Sequence, residues 1–422
     1  MMMPLITKME EVVAKIGPRD FIAFGYVHSG FEPLFEAFKR LQWDRSIEVF
    51  IPCILRYRQE DIFHLDKALE GFGGKLLITQ VAPECSGCIN PERVDILPLP
   101  LSIAPRYLRE MSAKRKTWLF CEISPPNEKG MCNTGYSVPF PPSLYKNCQV
   151  VGMINERIPP TYGDTSIPAR WFDYFIDIPD QLPLYPELEI TDTVEKIGAN
   201  VSSLIGDNFT IQAGIGDIAA ATLMSLRNRK NLTFESGLLP EEVKILADEK
   251  AITGHMISNV SAARSMEFYE WMKMNPAVHF KSMEYTHNIA HLSQLPNFTV
   301  IGGAVAVDLL GQAACETVGL RQISGIGGAL DFSRAAGCAD GKGIIALTSA
   351  FGKNNTSKIV PRFDKGDVIS MTRYDVNYVV TEYGLADLKY QSRRDKALRL
   401  IGVAHPDHRG WLLEEATKMN IV

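Results

Sequence analysis

A carboxylate that closes a β-strand beside a glycine turn is suited to nucleophilic or base chemistry, and Glu235 is placed that way. Phe209 to Ala213 is a short run of strand formers, Gly214-Ile215-Gly216 breaks it, and Asp217 stands where a helix N-cap belongs. Ile218 to Leu226 reads as a helix, Arg227 to Lys230 bring positive charge to its end, and Leu232-Thr233-Phe234 opens a second strand. The two strands of a βαβ unit are parallel, so their carboxyl ends share one rim, where open α/β sheets bind ligands. The glycine turn and Glu235 therefore face one crevice. A second glycine-rich stretch, Ser324 to Phe332 with Gly325, Gly327 and Gly328, is flexible enough for backbone to lie against a phosphate or an oxyanion.

Other reactive side chains point elsewhere less strongly. His287 and His291 are four apart, as two zinc ligands on one helix face would be, but no Glu follows His287 directly, and they read as solvated or structural histidines. His405 and His408 flank Pro406 and read as surface or inter-element contacts. Cys85-Ser86-Gly87-Cys88 is the one C-x-x-C and has neither a second pair nor a flanking His, so no metal is expected. Ala219 stands where a dinucleotide fingerprint has its third glycine. A variant allows Ala there, and an acid at the tip of the next strand argues against NAD. No G-x-x-x-x-G-K-[ST] and no G-x-S-x-G is present.

The elements that must hold these residues alternate between strand and helix. Asp20 to Phe24, Ile47 to Ile51, Lys75 to Thr79, Trp118 to Glu122 and Val150 to Ile154 read as strands. Helices are expected at Thr7 to Ile16, Pro33 to Leu41 and around Asp66 to Leu69. That alternation implies a parallel sheet covered by helices. Gly25 to Gly30 forms a turn after the first of these strands. Ser124 to Gly130 and Asn155 to Asp164 are proline-containing loops at strand ends, fit to be rigid connections or a pocket wall.

Asp180 to Pro186 looks like a domain crossing, which divides the chain into 1–185 and 186–422. Beyond it, helices are expected at Ile190 to Ile205, Met256 to Met274, Arg393 to Ala404 after a Ser392 cap, and Gly410 to Met419. Strands are expected at Thr299 to Ile301, Val305 to Gln312, Ile344 to Ser349, Val368 to Met371 and Val376 to Thr381. Phe351 to Lys358 reads as a polar loop carrying Lys353 and Lys358.

The 422 residues exceed what one core usually supports. Lys+Arg 44 against Asp+Glu 49 leaves a formal charge of -5 with no basic block, which argues against nucleic acid as a partner. No apolar run has the length of a membrane helix, and the N-terminus lacks a signal-peptide pattern, so a cytoplasmic protein with no membrane partner is expected.

SPPNEKGMCNTG at Ser124 to Gly135, NERIPPTYGD at Asn155 to Asp164, DLLGQ at Asp308 to Gln312, SGIGGALDF at Ser324 to Phe332, VVTEYGLADL at Val379 to Leu388 and AHPDHR at Ala404 to Arg409 occur in that order. Together they resemble the acetyl-CoA hydrolase/transferase family over nearly the whole chain. The resemblance implies two open α/β domains of the CoA-transferase type with the active site between them, and a homodimer. It implies coenzyme A as substrate, carried as acyl-CoA, with a small carboxylic acid as partner: 4-hydroxybutyrate, butyrate, acetate or a small dicarboxylate. Glu235 matches the glutamate that attacks the thioester in a ping-pong course through a glutamyl-CoA thioester. Gly327 and Gly328 match the oxyanion-binding loop. Gly214, Ile215, Gly216, Gly302, Gly325, Ile326 and Lys353 match segments that line the CoA site.

The chain departs from the family pattern in three places. Gly302-Gly303-Ala304 replaces Asn-Ser-Ala, Ala329 replaces a glutamine, and Thr233-Phe234-Glu235 replaces His-Thr-Glu with a longer loop after it. An acyl-CoA hydrolase on the same site and a silent CoA-binding protein are the alternatives to a transferase.

Overall fold

The computed structural model describes residues 5–26, 36–37, 40, 47–54, 74–81, 86–87, 89, 92–178, 182–338 and 340–422. Most of the turn expected after Gly25, most of the Pro33 to Leu41 helix, the Asp66 to Leu69 helix, and Cys85 and Cys88 lie outside them. The chain forms two compact units, Met1–Glu187 with Met256–Thr286, and Leu188–His255 with His287–Val422. The segment 256–286, which a single cut at 185/186 leaves in the second domain, groups with the first unit.

Among the described residues the first unit holds an eight-stranded sheet in the order Leu5–Ile6, Tyr174–Asp177, Gln149–Ile154, Thr117–Ile123, Phe21–Phe24, Glu48–Ile54, Lys75–Val81 and Val94–Ile96. Every neighbouring pair is parallel. A strand covered on both faces has no solvent side to supply polar residues, which is why Thr117–Ile123 is buried along its whole length. Ile22, Phe24, Val49, Ile51, Ile78, Trp118 and Phe120 form the centre of its core, with Phe24 and Phe120 stacked at 5.1 Å.

The motif stretches Ser124 to Gly135 and Asn155 to Asp164 of this unit are tied together. Asn133 donates through Nδ2 to the carbonyl of Thr161 and to Thr165 Oγ1, each at 3.2 Å, and its Oδ1 accepts from the N–H of Gly135 at 2.7 Å. Gly135 has a positive φ of 65°, and a β-carbon there would meet Ile158 Cγ2 at 2.5 Å, so the two motifs require each other's shape.

In the second unit the strands neighbour one another in the order Gly384–Asp387, Tyr378–Thr381, Lys342–Ala346, Thr299–Gly302, Thr210–Ala213, Leu232–Glu235 and the first part of Ile252–Ser258, as far as His255. Tyr378–Thr381 through Leu232–Glu235 are parallel, and Gly384–Asp387 returns antiparallel at the edge. Val307, Leu309, Ile345, Leu347, Val379, Leu400 and Leu412 build one core cluster, and Phe298, Val300 and Phe332 centre another. Both units are thus α/β with parallel sheets, as the alternation of elements implies.

Several expectations change. Met256 to Met274 is not one helix: Ile252–Ser258 and Val260–Ala262 are strands, and the helix is Met266–Met272, begun by Ser265, whose side chain accepts from the N–H of Phe268. β-branched Ile252, Thr253, Ile257 and Val260 favour the strand. Asp217 is the first residue of the helix Asp217–Met224 and not its cap; Gly216, with a φ of 115°, takes the cap position and the Asp217 carboxylate accepts from the N–H of Glu189.

Val305 to Gln312 is a strand only over Ala306–Asp308, because Asp308 draws the chain into a turn by accepting from the N–H groups of Leu310 and Gln312. Val368 to Met371 is irregular except for an isolated bridge from Met371 to Ala313. Ser324 to Phe332 is a loop only as far as Gly328, since Ala329–Cys338 is helical. The polar stretch after Ala350 is a hairpin of Ala350–Phe351 and Thr356–Ser357. The last helix is Pro406–Lys418, four residues longer at its start than Gly410, with Pro406 suited to a first turn that needs no N–H.

Candidate active site

Glu235 is the last residue of its strand and is 2% exposed. Its strand is held in register by Ile211 opposite Phe234 and by a hydrogen bond from Thr233 Oγ1 to Thr210 Oγ1 at 2.9 Å. The next residue fastens the strand end. Ser236 Oγ donates to the carbonyl of Ala213 at 2.8 Å and accepts from Gln212 Nε2 at 3.3 Å. On the other side of Thr210–Ala213, Ala213 lies opposite Ile301, and Gly302 closes that strand. The carboxyl ends of three adjacent parallel strands therefore bring Gly214, Glu235 and Gly302 to one rim.

Two imidazoles hold the Glu235 carboxylate. His255 Nε2 lies 2.9 Å from Oε1, and His291 Nε2 lies 2.8 Å from Oε2. A carboxylate only accepts, so each ring carries a proton on Nε2 and donates it. Burying an uncompensated carboxylate costs several kcal/mol. Hydrogen bonds to a charged group return about 1.5–3 kcal/mol each, so the pair offsets much of that cost and fixes both oxygens.

The two histidines come from different surroundings. His255 lies in Ile252–Ser258, the strand next to that of Glu235, and its side chain is 50% exposed. His291 lies in the short helical turn Ile289–Leu292 and its side chain is 28% exposed. Asn288 caps that turn, its Oδ1 accepting from the N–H groups of Ala290 and His291.

His287 does not share a helix face with His291, because the helical turns Met283–Thr286 and Ile289–Leu292 are separated at His287-Asn288. Its ring is buried, and burial pushes its pKa down to about 3, so it is neutral. A β-carbon at Gly328 would stand 2.6 Å from its Cδ2, and one at Gly237 would stand 3.0 Å from its Nε2. His287 thus packs against the loop two residues beyond Glu235 and against the second glycine loop. Phe332 completes the contact at a ring separation of 4.8 Å.

The remaining expected site residues divide. Gly214 and Gly216 have open space where a β-carbon would be, and Ile215 between them is 38% exposed, so the turn presents backbone to the surroundings. Gly325, Gly327 and Gly328 are buried, Gly327 with a φ of 59°, while Ile326 packs on the core of the second unit. Lys353 is exposed in the hairpin turn, where it makes no ion pair among the described residues. Asp308 is structural: Gln312 Nε2 and backbone N–H groups bind its carboxylate, and burial raises its pKa. His405 and His408 are inter-element contacts, both reaching Asn355 of the hairpin.

His255 and His291 carry no site role in the reading of the sequence. His255 lies 20 residues from Glu235 and His291 lies 56, so no short motif joins them. The strand that carries His255 was hidden by the helical reading of Met256 onward. Asn288 as an N-cap was the available signal that the chain breaks at His287 and turns His291 a different way. Among the described residues no three His, Cys, Asp or Glu side chains gather as a metal site.

Residues 265–416 match the family described as acetyl-CoA hydrolase/transferase C-terminal domain. The 4-hydroxybutyrate coenzyme A transferase of Clostridium kluyveri is 33% identical over 339 residues, which span 78% of this chain and 79% of that one. Among solved structures, 4-hydroxybutyrate CoA-transferase of Porphyromonas gingivalis is 26% identical with a TM-score of 0.77, covering 98% of this chain and 97% of the other. RipA of Yersinia pestis shares the fold with a TM-score of 0.86 at 22% identity, over 99% of this chain and 98% of its own.

Proposed function

Because the chain belongs to the acetyl-CoA hydrolase/transferase family and is a CoA-transferase, we propose that Glu235 is its nucleophile and that CoA passes through a glutamyl thioester. The observation that carries this reading is a nearly buried carboxylate at a parallel strand end, with each oxygen held by an imidazole. Glu235 attacks the acyl-CoA carbonyl and expels CoA thiolate, giving an acyl-glutamyl anhydride. The thiolate attacks the glutamyl carbonyl and releases the donor acid. An acceptor carboxylate then reverses the two steps. A carboxylate suits the role because it leaves about as readily as the substrates' own carboxylates, which keeps each step near equilibrium.

Gly327 and Gly328 are oxyanion-loop residues in this reading, and Gly214 to Gly216, Gly302, Gly325, Ile326 and Lys353 line the CoA site. CoA's remote nucleotide and pantetheine arm supply binding energy that drives the reacting atoms together. The acids are small: 4-hydroxybutyrate, butyrate, acetate or a small dicarboxylate. On family likeness the enzyme is a cytoplasmic homodimer of two α/β domains per chain, and light scattering should return twice the 47.0 kDa of one chain.

The test is intact-protein and peptide mass spectrometry after mixing with butyryl-CoA or acetyl-CoA, with and without acetate, beside Glu235→Ala. A CoA adduct on the Glu235 peptide, discharged by carboxylate and absent in the variant, is the expected result. Loss of thioester with no adduct and no acceptor dependence would favour the hydrolase. Persistence of the thioester with bound CoA would favour a silent binding protein.

A further inference from the structure

We propose that His291 and His255 have different jobs on the two oxygens of Glu235: His291 is the oxyanion donor for chemistry at the glutamyl carbon, and His255 is a positioning residue that releases the attacking oxygen. This rests on Glu235 being the nucleophile. The two contacts are nearly equal in length, 2.8 Å and 2.9 Å, but not in setting. His291 is mostly buried and its backbone is fastened by the Asn288 cap, whereas half of the His255 side chain is open. The more open imidazole stands at Oε1 and the more buried one at Oε2, so in this proposal Oε1 is the oxygen that attacks the acyl-CoA carbonyl.

The electron bookkeeping then separates the roles. Oε1 gives its lone pair to the thioester carbon, the C–S bond breaks, and the thiolate leaves with the pair. The oxyanion of that step lies on the substrate, so His291 adds nothing specific to it. The thiolate next attacks Cδ of Glu235. The pair of the Cδ–Oε2 double bond moves onto Oε2, directly at the Nε2–H of His291. Collapse re-forms the carbonyl, breaks Cδ–Oε1 and expels the donor acid with that oxygen. Acceptor attack on the glutamyl thioester passes through the same Oε2 oxyanion and expels thiolate. His291 therefore serves the two steps at Cδ. As Oε1 bonds to the acyl carbon it loses its charge, so the contact from His255 weakens through the first step and the oxygen is released. No proton is gained or lost in any step.

Single-turnover experiments with butyryl-CoA and acetate on the full chain test this, comparing His291→Leu, His291→Gln and His255→Gln. Preserved melting temperature and preserved CoA binding confirm that each variant is folded. Removing one oxyanion donor costs about 10²–10³ in rate. His291→Leu is expected to slow both formation and acetate discharge of the glutamyl thioester by roughly that factor, and an acyl adduct on Glu235 should build up instead. His291→Gln, which keeps an N–H donor, should recover most of the loss. His255→Gln should change KM for butyryl-CoA more than it changes either rate at Cδ. Equal slowing by His291→Leu and His255→Gln, or thioester rates within threefold of the parent in His291→Leu, would overturn the assignment while leaving Glu235 as the nucleophile. Absence of any glutamyl thioester in the unmodified enzyme would overturn both.

Discussion

The imidazole of His287 occupies the space that a side chain at Gly328 would need: a β-carbon there would lie 2.6 Å from Cδ2 and 2.7 Å from Nε2. Phe332 Cε2 would also be 2.7 Å away, so the added atom has no free direction. Gly328→Ala should therefore behave as an overpacking change, costing about 1–3 kcal/mol. Because His287 also abuts Gly237, the displacement reaches the loop after Glu235. Thermal melting should show the stability loss, and the rate of CoA-adduct formation should fall further than that of a distant variant of equal stability loss. An adduct rate unchanged from the parent would show that the two loops are not coupled through this ring.

His287 also sets a pH dependence of stability. Its folded pKa is lowered by burial to about 3 from an ordinary value of 6.5. Between those values the unfolded chain binds a proton that the folded chain refuses. Stability from this group is thus complete above pH of about 6.5 and is lost progressively as pH falls toward about 3, at up to about 1.4 kcal/mol per pH unit. His287→Met, with a flexible side chain of similar reach, should flatten the decline in melting temperature between pH of about 7.5 and about 5. Parallel declines in the two proteins would assign the acid sensitivity to other groups.

The parts of this fold that were legible in the sequence are those set by local pattern. Strand, glycine turn, helix and strand from Thr210 to Glu235 follow from apolar runs broken by Gly214 and Gly216, and the parallel register then brings Glu235 to the rim beside Gly302. Ser392 was readable as a cap because its side chain works locally, accepting from the N–H of Asp395 and donating to the carboxylate of the same residue. What stayed hidden depends on contacts between distant elements. His255 meets Glu235 only because Ile252–Ser258 takes the neighbouring position in the sheet. His291 meets it only because Asn288 starts a fresh turn. Asn288 marks the fresh turn but not which residue His291 then meets, and the apolar spacing around Met256 suits a helix as well as a strand.

The turn after Thr210–Ala213 offers a pair of glycines with opposite expectations. Gly216 has a φ of 115°, so Gly216→Ala strains the backbone by about 1–2 kcal/mol although nothing lies within contact of the new atom. Gly214→Ala meets no neighbour within 4 Å and needs no left-handed backbone. Gly214→Ala should melt with the parent yet raise KM for acyl-CoA, because the methyl group stands where the ligand would approach the rim. An unchanged KM would remove this turn from the CoA site.

Lys353 stands exposed in a hairpin turn that is itself well anchored. The N–H of Asn355 donates to the carbonyl of Gly352 at 3.1 Å, and His408 Nε2 donates to the carbonyl of Asn355 at 2.6 Å. Asn355 Nδ2 reaches His405 Nδ1 at 3.3 Å and Asp407 Oδ2 at 3.2 Å. The anchors hold the turn and leave the ammonium without an ion pair among the described residues, which suits contact with a phosphate of CoA. An exposed ion pair contributes about 0.2–1 kcal/mol, so Lys353→Ala should raise KM for acyl-CoA by a factor of roughly 1.4 to 5 with kcat unchanged. Salt should erase the difference, since exposed pairs are screened. Lys353→Arg should restore the KM, and His408→Ala should move it the same way as Lys353→Ala by loosening the turn. A KM that ignores both the substitution and the salt would mean that the lysine is only a solvated side chain on a structural hairpin.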